Sequence, residues 1–94
     1  MSVQVRVFTH PACPRCGHAV RALWELNERE PGRIVFETVS LTDKAGLDAA
    51  HAAGIKTIPT LIFNVDGQEV QRIVGAPEPD ALEHALRQAE SERG

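Results

Sequence analysis

The chain of 94 residues holds two cysteines, and they stand three positions apart in Cys13-Pro14-Arg15-Cys16. Thiols at this spacing can close a disulfide, exchange it with another one, or hold a soft metal ion. A bridge around so small a loop removes little chain entropy, so it makes a poor structural staple. The pair is chemical rather than architectural. Pro14 suits the first position of a helix, where its missing N–H costs nothing, which predicts a helix opening at Pro14 with Cys13 at or beside the N-cap. The unpaired N–H groups and dipole of that helix end favour negative charge on the sulfur, and Arg15 adds a cation in the same turn. Such surroundings lower a thiol pKa from about 8.5 to about 7 or below. Position then divides the labour. Cys13, at the exposed end, is the sulfur that attacks, and Cys16, one turn deeper, is the one that resolves a mixed disulfide.

Other side chains near the pair read more plainly. His10-x-x-Cys13-x-x-Cys16 has a spacing that would hold Zn²⁺ or Cu⁺, so a copper or zinc carrier is one alternative. A binding module without turnover is another. His10, in the loop before the pair, is the histidine that can approach the sulfurs, with solvent exposure as its default. At 100° per residue His18 points away from both, and His51 and His84 read as surface residues. Trp24 reads as core packing at helical spacing. Gly17 costs a helix about 1 kcal/mol relative to Ala, which close packing beside the site would explain.

The elements that must position the pair follow from periodicity. Residues 3–8 alternate apolar and polar side chains and then add Phe8, as a strand does, and His10-Pro11-Ala12 breaks the run. From Pro14 to about Glu30, Val20, Leu23 and Trp24 recur at helical spacing, and Pro31-Gly32 ends the helix. Residues 34–39 are β-branched and aromatic, a second strand. Thr42 or Asp43 caps a short helix that runs to about Ala53 and stops at Gly54. Residues 60–64 and 69–74 flank Asp66-Gly67 as a hairpin. A last helix starts near Pro79-Asp80 with Leu82, Ala85, Leu86 and Ala89 on one side, and residues 91–94 are expected to fray. The order is β-α-β-α-β-β-α. A βαβ crossover makes the first two strands parallel and the hairpin adds an antiparallel pair, giving a four-stranded mixed sheet with helices on both faces in one domain, 1–94.

Composition bounds the function. Hydrophobic residues make up 43% and charged residues 24% of the chain, as in an ordinary globular domain. With 10 Lys and Arg against 13 Asp and Glu the net charge is −3, which argues against a nucleic acid partner. No apolar run is long enough for a membrane span, and the opening residues lack the pattern of a signal peptide. A cytoplasmic, monomeric protein is expected, in a compartment where resting thiols are reduced.

A strand, a CxxC pair and a helix, followed some 43 residues later by Thr57-Ile58-Pro59-Thr60-Leu61 and then by Val74-Gly75-Ala76, resemble the thioredoxin superfamily over nearly the whole chain. The resemblance implies a thioredoxin-like fold and a thiol–disulfide oxidoreductase with Cys13 and Cys16 as catalytic residues and Pro14 and Arg15 tuning their pKa. It further implies a substrate-binding surface of Thr57, Ile58, Pro59 and Gly75. Pro59 would follow a cis peptide bond, the backbone of Ile58 would pair with an extended substrate, and Gly75 would leave room for it. A disulfide-containing protein or small molecule would be the substrate, and glutathione or a flavin-dependent thioredoxin reductase the electron donor, with no bound cofactor and no metal. Two features depart from thioredoxins: Val7 stands where many carry a buried Asp, and Ala12 where they carry Trp. Some other base, or water, must then serve Cys16. The short length is similar to glutaredoxins, but Gly75-Ala76-Pro77-Glu78-Pro79-Asp80 lacks their paired glycines and following Asp, which tells against glutathione binding.

Overall fold

The computed structural model describes residues 2–92, and these form β1 (Val3–Thr9), α1 (Cys16–Arg29), β2 (Ile34–Ser40), α2 (Lys44–Ala52), β3 (Thr60–Val65), β4 (Gln68–Val74) and α3 (Pro79–Ser91). The strands make one sheet in the order β2-β1-β3-β4, with β1 and β2 parallel and the other neighbours antiparallel. This is the thioredoxin-like α/β arrangement expected from the sequence. Ser91, expected to fray, is the last residue of α3, and its hydroxyl donates to the Gln88 carbonyl at 3.1 Å. Glu92 is the C-cap of α3, its N–H donating to the Ala89 carbonyl at 3.1 Å, and the rest of that expectation concerns Arg93 and Gly94, which lie outside the described residues.

Strand alternation sorts the side chains onto two faces. Val3, Val5 and Val7 of β1 join Leu61, Phe63 and Val65 of β3 beneath Leu23 and Leu26 of α1 and Leu82 and Leu86 of α3. Phe8 and Ile62 point the other way and meet Ala50 of α2. Burying each of the larger side chains contributes about 1.5–3 kcal/mol, so the two α1 leucines and the paired α3 leucines hold both helices to the sheet. The parallel pairing of β1 with β2 brings their C-terminal ends to one edge, where Leu41 N–H donates to the Thr9 carbonyl at 2.9 Å. That edge carries the cysteines.

Two local devices set the register. Asp43 caps α2 by accepting from Gly46 N–H at 2.7 Å, one of the two caps the sequence offered. A Cβ at Gly46 would collide with the backbone carbonyl of Ser40, so this glycine lets α2 lie on the end of β2. Between β3 and β4, Asp66 and Gly67 both take positive φ, 53° and 79°, which suits a two-residue turn of the mirror-image type that follows strand twist.

One boundary differs. Helix α1 opens at Cys16, with Arg15 at the N-cap, rather than at Pro14. Cys13 N–H is taken by the His10 carbonyl at 2.9 Å, and the first backbone bond of helical spacing among the described residues runs from Ala19 N–H to the Arg15 carbonyl at 3.3 Å. Pro14 therefore lies in the turn between the cysteines, one residue ahead of the cap, and Cys13 lies outside the helix.

At the opposite end of the sheet Arg33 gathers three carboxylates. Its guanidinium donates to both oxygens of Glu83 at 2.9 and 2.7 Å, both oxygens of Glu90 at 2.8 and 2.9 Å, and one oxygen of Glu30 at 2.8 Å. It thereby ties the end of α1 and the start of β2 to α3.

Candidate redox site

Cys13 and Cys16 are joined by a disulfide, with their Cα atoms 5.5 Å apart. Cys13 is half-buried in the loop, while Cys16 opens α1 and is only 5% exposed. The inner position is inner because Cys16 begins the stripe Cys16, Ala19, Leu23 and Leu26 that α1 turns toward the sheet. Among the described residues no side chain caps α1, and its first turn holds no acidic residue. The positive end of the helix is thus uncompensated next to the sulfurs, with Arg15 exposed beside it.

His10 organises the loop. Its Nδ1 accepts from Ala12 N–H at 3.0 Å and its carbonyl accepts from Cys13 N–H at 2.9 Å, so one residue anchors both sides of the turn that carries the outer cysteine. His10 is half-buried, not solvent-exposed as its default reading had it, and it borders the same groove as both cysteines. With Nδ1 as an acceptor, the ring carries its proton on Nε2. Among the described residues no group of three or more His, Cys, Asp or Glu side chains is arranged to hold a metal ion.

The other predicted residues lie on the loop before β3 and just after β4. The Ile58–Pro59 peptide is cis, and Pro59 is buried. The Thr60 hydroxyl donates to the Thr57 carbonyl, which turns the loop, and Ile58 N–H and C=O take no partner among the described residues. Gly75 adopts φ +96° and donates its N–H to the Pro59 carbonyl at 2.7 Å, locking the two segments together. Immediately after it, Ala76, Pro77 and Glu78 share a shallow hollow with Pro14 and Arg15. The cysteine loop and the Gly75 segment therefore face one another, while Thr57, Ile58 and Pro59 line neither that hollow nor the groove beside the cysteines.

Trp24 is not core. It is 55% exposed and meets Phe36 of β2 edge-to-face, with ring centroids 6.2 Å apart. Helical periodicity groups it with Leu23, but the two point about 100° apart, and the core side of α1 belongs to Leu23. Trp24 stands instead over β2, an edge strand with no neighbour beyond it in the sheet. Of the side chains along this flank, the sequence singled out Val20 only as part of the apolar helical stripe, and Arg21, Glu25 and Glu28 not at all. The signal that would have found them is a second stripe, Gly17, Val20, Trp24 and Glu28, running beside the buried one. Gly17 has no atom within 4 Å of where a Cβ would lie, so close packing does not require it.

Comparison with known proteins places this geometry. Residues 3–90 match the model of the thioredoxin-like domain. The chain belongs to the thioredoxin-like family. It is 29% identical over 85 residues to a thioredoxin of Methanocaldococcus jannaschii, covering 90% of this chain and 93% of that one. Its fold superposes on the thioredoxin of Malassezia sympodialis with a TM-score of 0.78 at 26% identity, covering 93% of this chain and 74% of that one. The oxidised mitochondrial thioredoxin 3 of Saccharomyces cerevisiae gives 0.75 at 27% identity, with 90% and 76% covered. Against the thioredoxin pattern, Val7 is wholly buried in the apolar core, so no carboxyl lies behind Cys16 from that position. Among the described residues no helix is long and apolar enough to cross a membrane.

Proposed function

We propose that this chain is a dithiol–disulfide oxidoreductase that reduces disulfides of proteins or small molecules through Cys13 and Cys16. The observation that carries the reading is the graded exposure of one bonded pair at an uncapped helix end: the outer sulfur half-buried, the inner one 5% exposed. In the reduced protein the Cys13 thiolate attacks one sulfur of the substrate disulfide. The substrate S–S bond breaks, a mixed disulfide forms, and the departing thiolate takes a proton. Cys16, deprotonated, then attacks the Cys13 sulfur and expels the second substrate thiolate, leaving the Cys13–Cys16 bridge. Two electrons and two protons from an external thiol or a flavin-dependent reductase restore the dithiol.

The surroundings support each part. Thiolate on Cys13 is favoured by the open end of α1 and by Arg15. The unpaired N–H and C=O of Ile58 suit pairing with an extended substrate strand, and Gly75, with open space where a Cβ would stand, suits close approach of its backbone. With Val7 apolar and both ring nitrogens of His10 engaged, Nδ1 by Ala12 N–H and Nε2 by its own proton, the proton of Cys16 leaves to water. The thiol chemistry suits a reductant working at about −200 to −270 mV in a compartment where resting thiols are reduced, the cytoplasm on this reading.

The test supplies glutathione and a thioredoxin reductase separately to the protein with a disulfide substrate. Cys13→Ser is expected to abolish turnover, and Cys16→Ser to accumulate a mixed disulfide on Cys13 visible by mass spectrometry. Turnover surviving Cys13→Ser would overturn the reading.

A further inference from the structure

The groove beside Cys13 has a volume of about 850 Å³ and continues from the disulfide along the exposed side of α1 to Trp24 and Glu28. It is not the surface of Ile58, Pro59 and Gly75, which lies on other segments. We propose that this groove holds the part of a substrate protein that runs on from its disulfide, beyond the strand that pairs with Ile58, selecting an extended chain with an apolar side chain followed by basic ones. The inference rests on the oxidoreductase reading above and names the substrate class of that same site.

Three features carry it. First, Trp24 is 55% exposed although Phe36 supports its ring edge-to-face, so a large apolar surface stands oriented in the groove that the cysteines also line. Second, Glu25 and Glu28 border the groove at the Trp24 end and enter no ion pair among the described residues. Arg21 and His10 are the cationic and titratable groups facing them along the groove, so its far end is net acidic. Third, Gly17 forms the groove next to Cys16, is exposed, and has open space where a Cβ would lie. A residue that weakens a helix without serving its packing is accounted for if its smallness keeps the entrance clear.

The spacing fixes the motif. Along α1, at about 1.5 Å per residue, Trp24 lies about 12 Å and Glu28 about 18 Å beyond Cys16. An extended peptide advances about 3.3 Å per residue. Measured from Cys16, Trp24 and Glu25 fall level with about the fourth residue and Glu28 with about the fifth to sixth, so an apolar side chain at four meets Trp24 and the long stems of Lys or Arg at the next two positions reach Glu25 and Glu28.

The experiment gives the 94-residue chain, kept reduced by an external dithiol, three substrates: hydroxyethyl disulfide, a peptide disulfide with Leu four residues from its cysteine and Lys at the next two, and the same peptide with Glu at those two. The Lys peptide is expected to show a kcat/KM about three- to tenfold above the Glu peptide at low ionic strength, through KM, with the gap closing in high salt. Trp24 is the one tryptophan of the chain, so its fluorescence reports occupancy directly. Titrating the oxidised protein with the Lys peptide, its cysteine replaced by serine, is expected to shift the emission. In a Glu25→Lys, Glu28→Lys double variant the preference is expected to reverse. Equal kcat/KM on the two peptides with unchanged Trp24 emission would overturn the inference, and this reading needs no variant to fold. Failure to turn over hydroxyethyl disulfide would instead overturn the oxidoreductase reading itself.

Discussion

Acid should loosen this protein at one identifiable place, the Arg33 cluster. Glu83 accepts two bonds from Arg33 and one from Arg87 at 2.7 Å, and these partners lower its pKa from 4.5 to about 2. Its folded-state pKa lies below the unfolded one. The stabilisation is therefore fully present above pH 4.5 and is lost as pH falls from there through about 2. At about 1.4 kcal/mol per tenfold change in proton affinity, the displacement carries at most about 3.4 kcal/mol. The Glu83 side chain is 33% exposed, so solvent screening reduces this to about 1–2 kcal/mol. Arg33 stays charged throughout, its own pKa raised by hydrogen bonds to Glu90 and Glu83. Glu83→Gln keeps the shape and removes the titration. The assay is urea unfolding followed at half-unit steps between pH 2 and 7. Wild-type stability is expected to exceed that of the variant by about 1–2 kcal/mol at pH 6 to 7, the two curves converging near pH 2. Parallel curves across that range would refute the assignment of acid sensitivity to Glu83.

The same substitution at two glycines should act with opposite signs. Gly46→Ala drives a Cβ into the Ser40 carbonyl and is expected to cost about 1–3 kcal/mol in chemical denaturation, whereas Gly17→Ala meets open space and should stabilise by up to about 1 kcal/mol while raising KM for peptide disulfides. Asp43→Ala removes the acceptor of Gly46 N–H and is expected to cost about 1 kcal/mol, read as faster amide exchange in the first turn of α2.

The strands, the hairpin and the α2 cap were legible because each is written locally. Alternation names the core side of β1, Asp66-Gly67 supplies the two left-handed residues its turn demands, and Asp43 sits three residues before the N–H it accepts from. The cysteine pair was legible for the same reason. The start of α1 was not. Proline at the first helical position is permitted but not required, and the bond from Cys13 N–H to His10 spends the donor in a turn instead. Trp24 was misplaced because a helical period fixes spacing and leaves phase to the tertiary packing, here decided by Leu23 and Leu26. The Arg33 cluster gathers residues 30, 33, 83 and 90, whose meeting depends on topology alone.

The distribution of ion pairs ties the fold to the chemistry. The Arg33 cluster binds the turn between α1 and β2 to α3 at the base of the sheet, and Arg72, paired with Glu69, also holds the Ala53 carbonyl at the end of α2. Among the described residues, none of the ion pairs includes the loop from His10 to Arg15, the first half of α1, or the Gly75 segment. An Arg15 neutralised by a carboxylate would lend little to a neighbouring sulfur, and Glu25 or Glu28 bonded to an arginine would have little left for a basic peptide. Charge that stabilises the fold is concentrated far from the cysteines, and charge near them is left uncommitted. A carboxylate introduced beside Arg15, as in His18→Asp, is therefore expected to raise the Cys13 pKa and slow its alkylation by iodoacetamide at pH 7, without a comparable loss of stability. An unchanged alkylation rate would show that the helix end alone sets the sulfur's charge, with Arg15 a bystander.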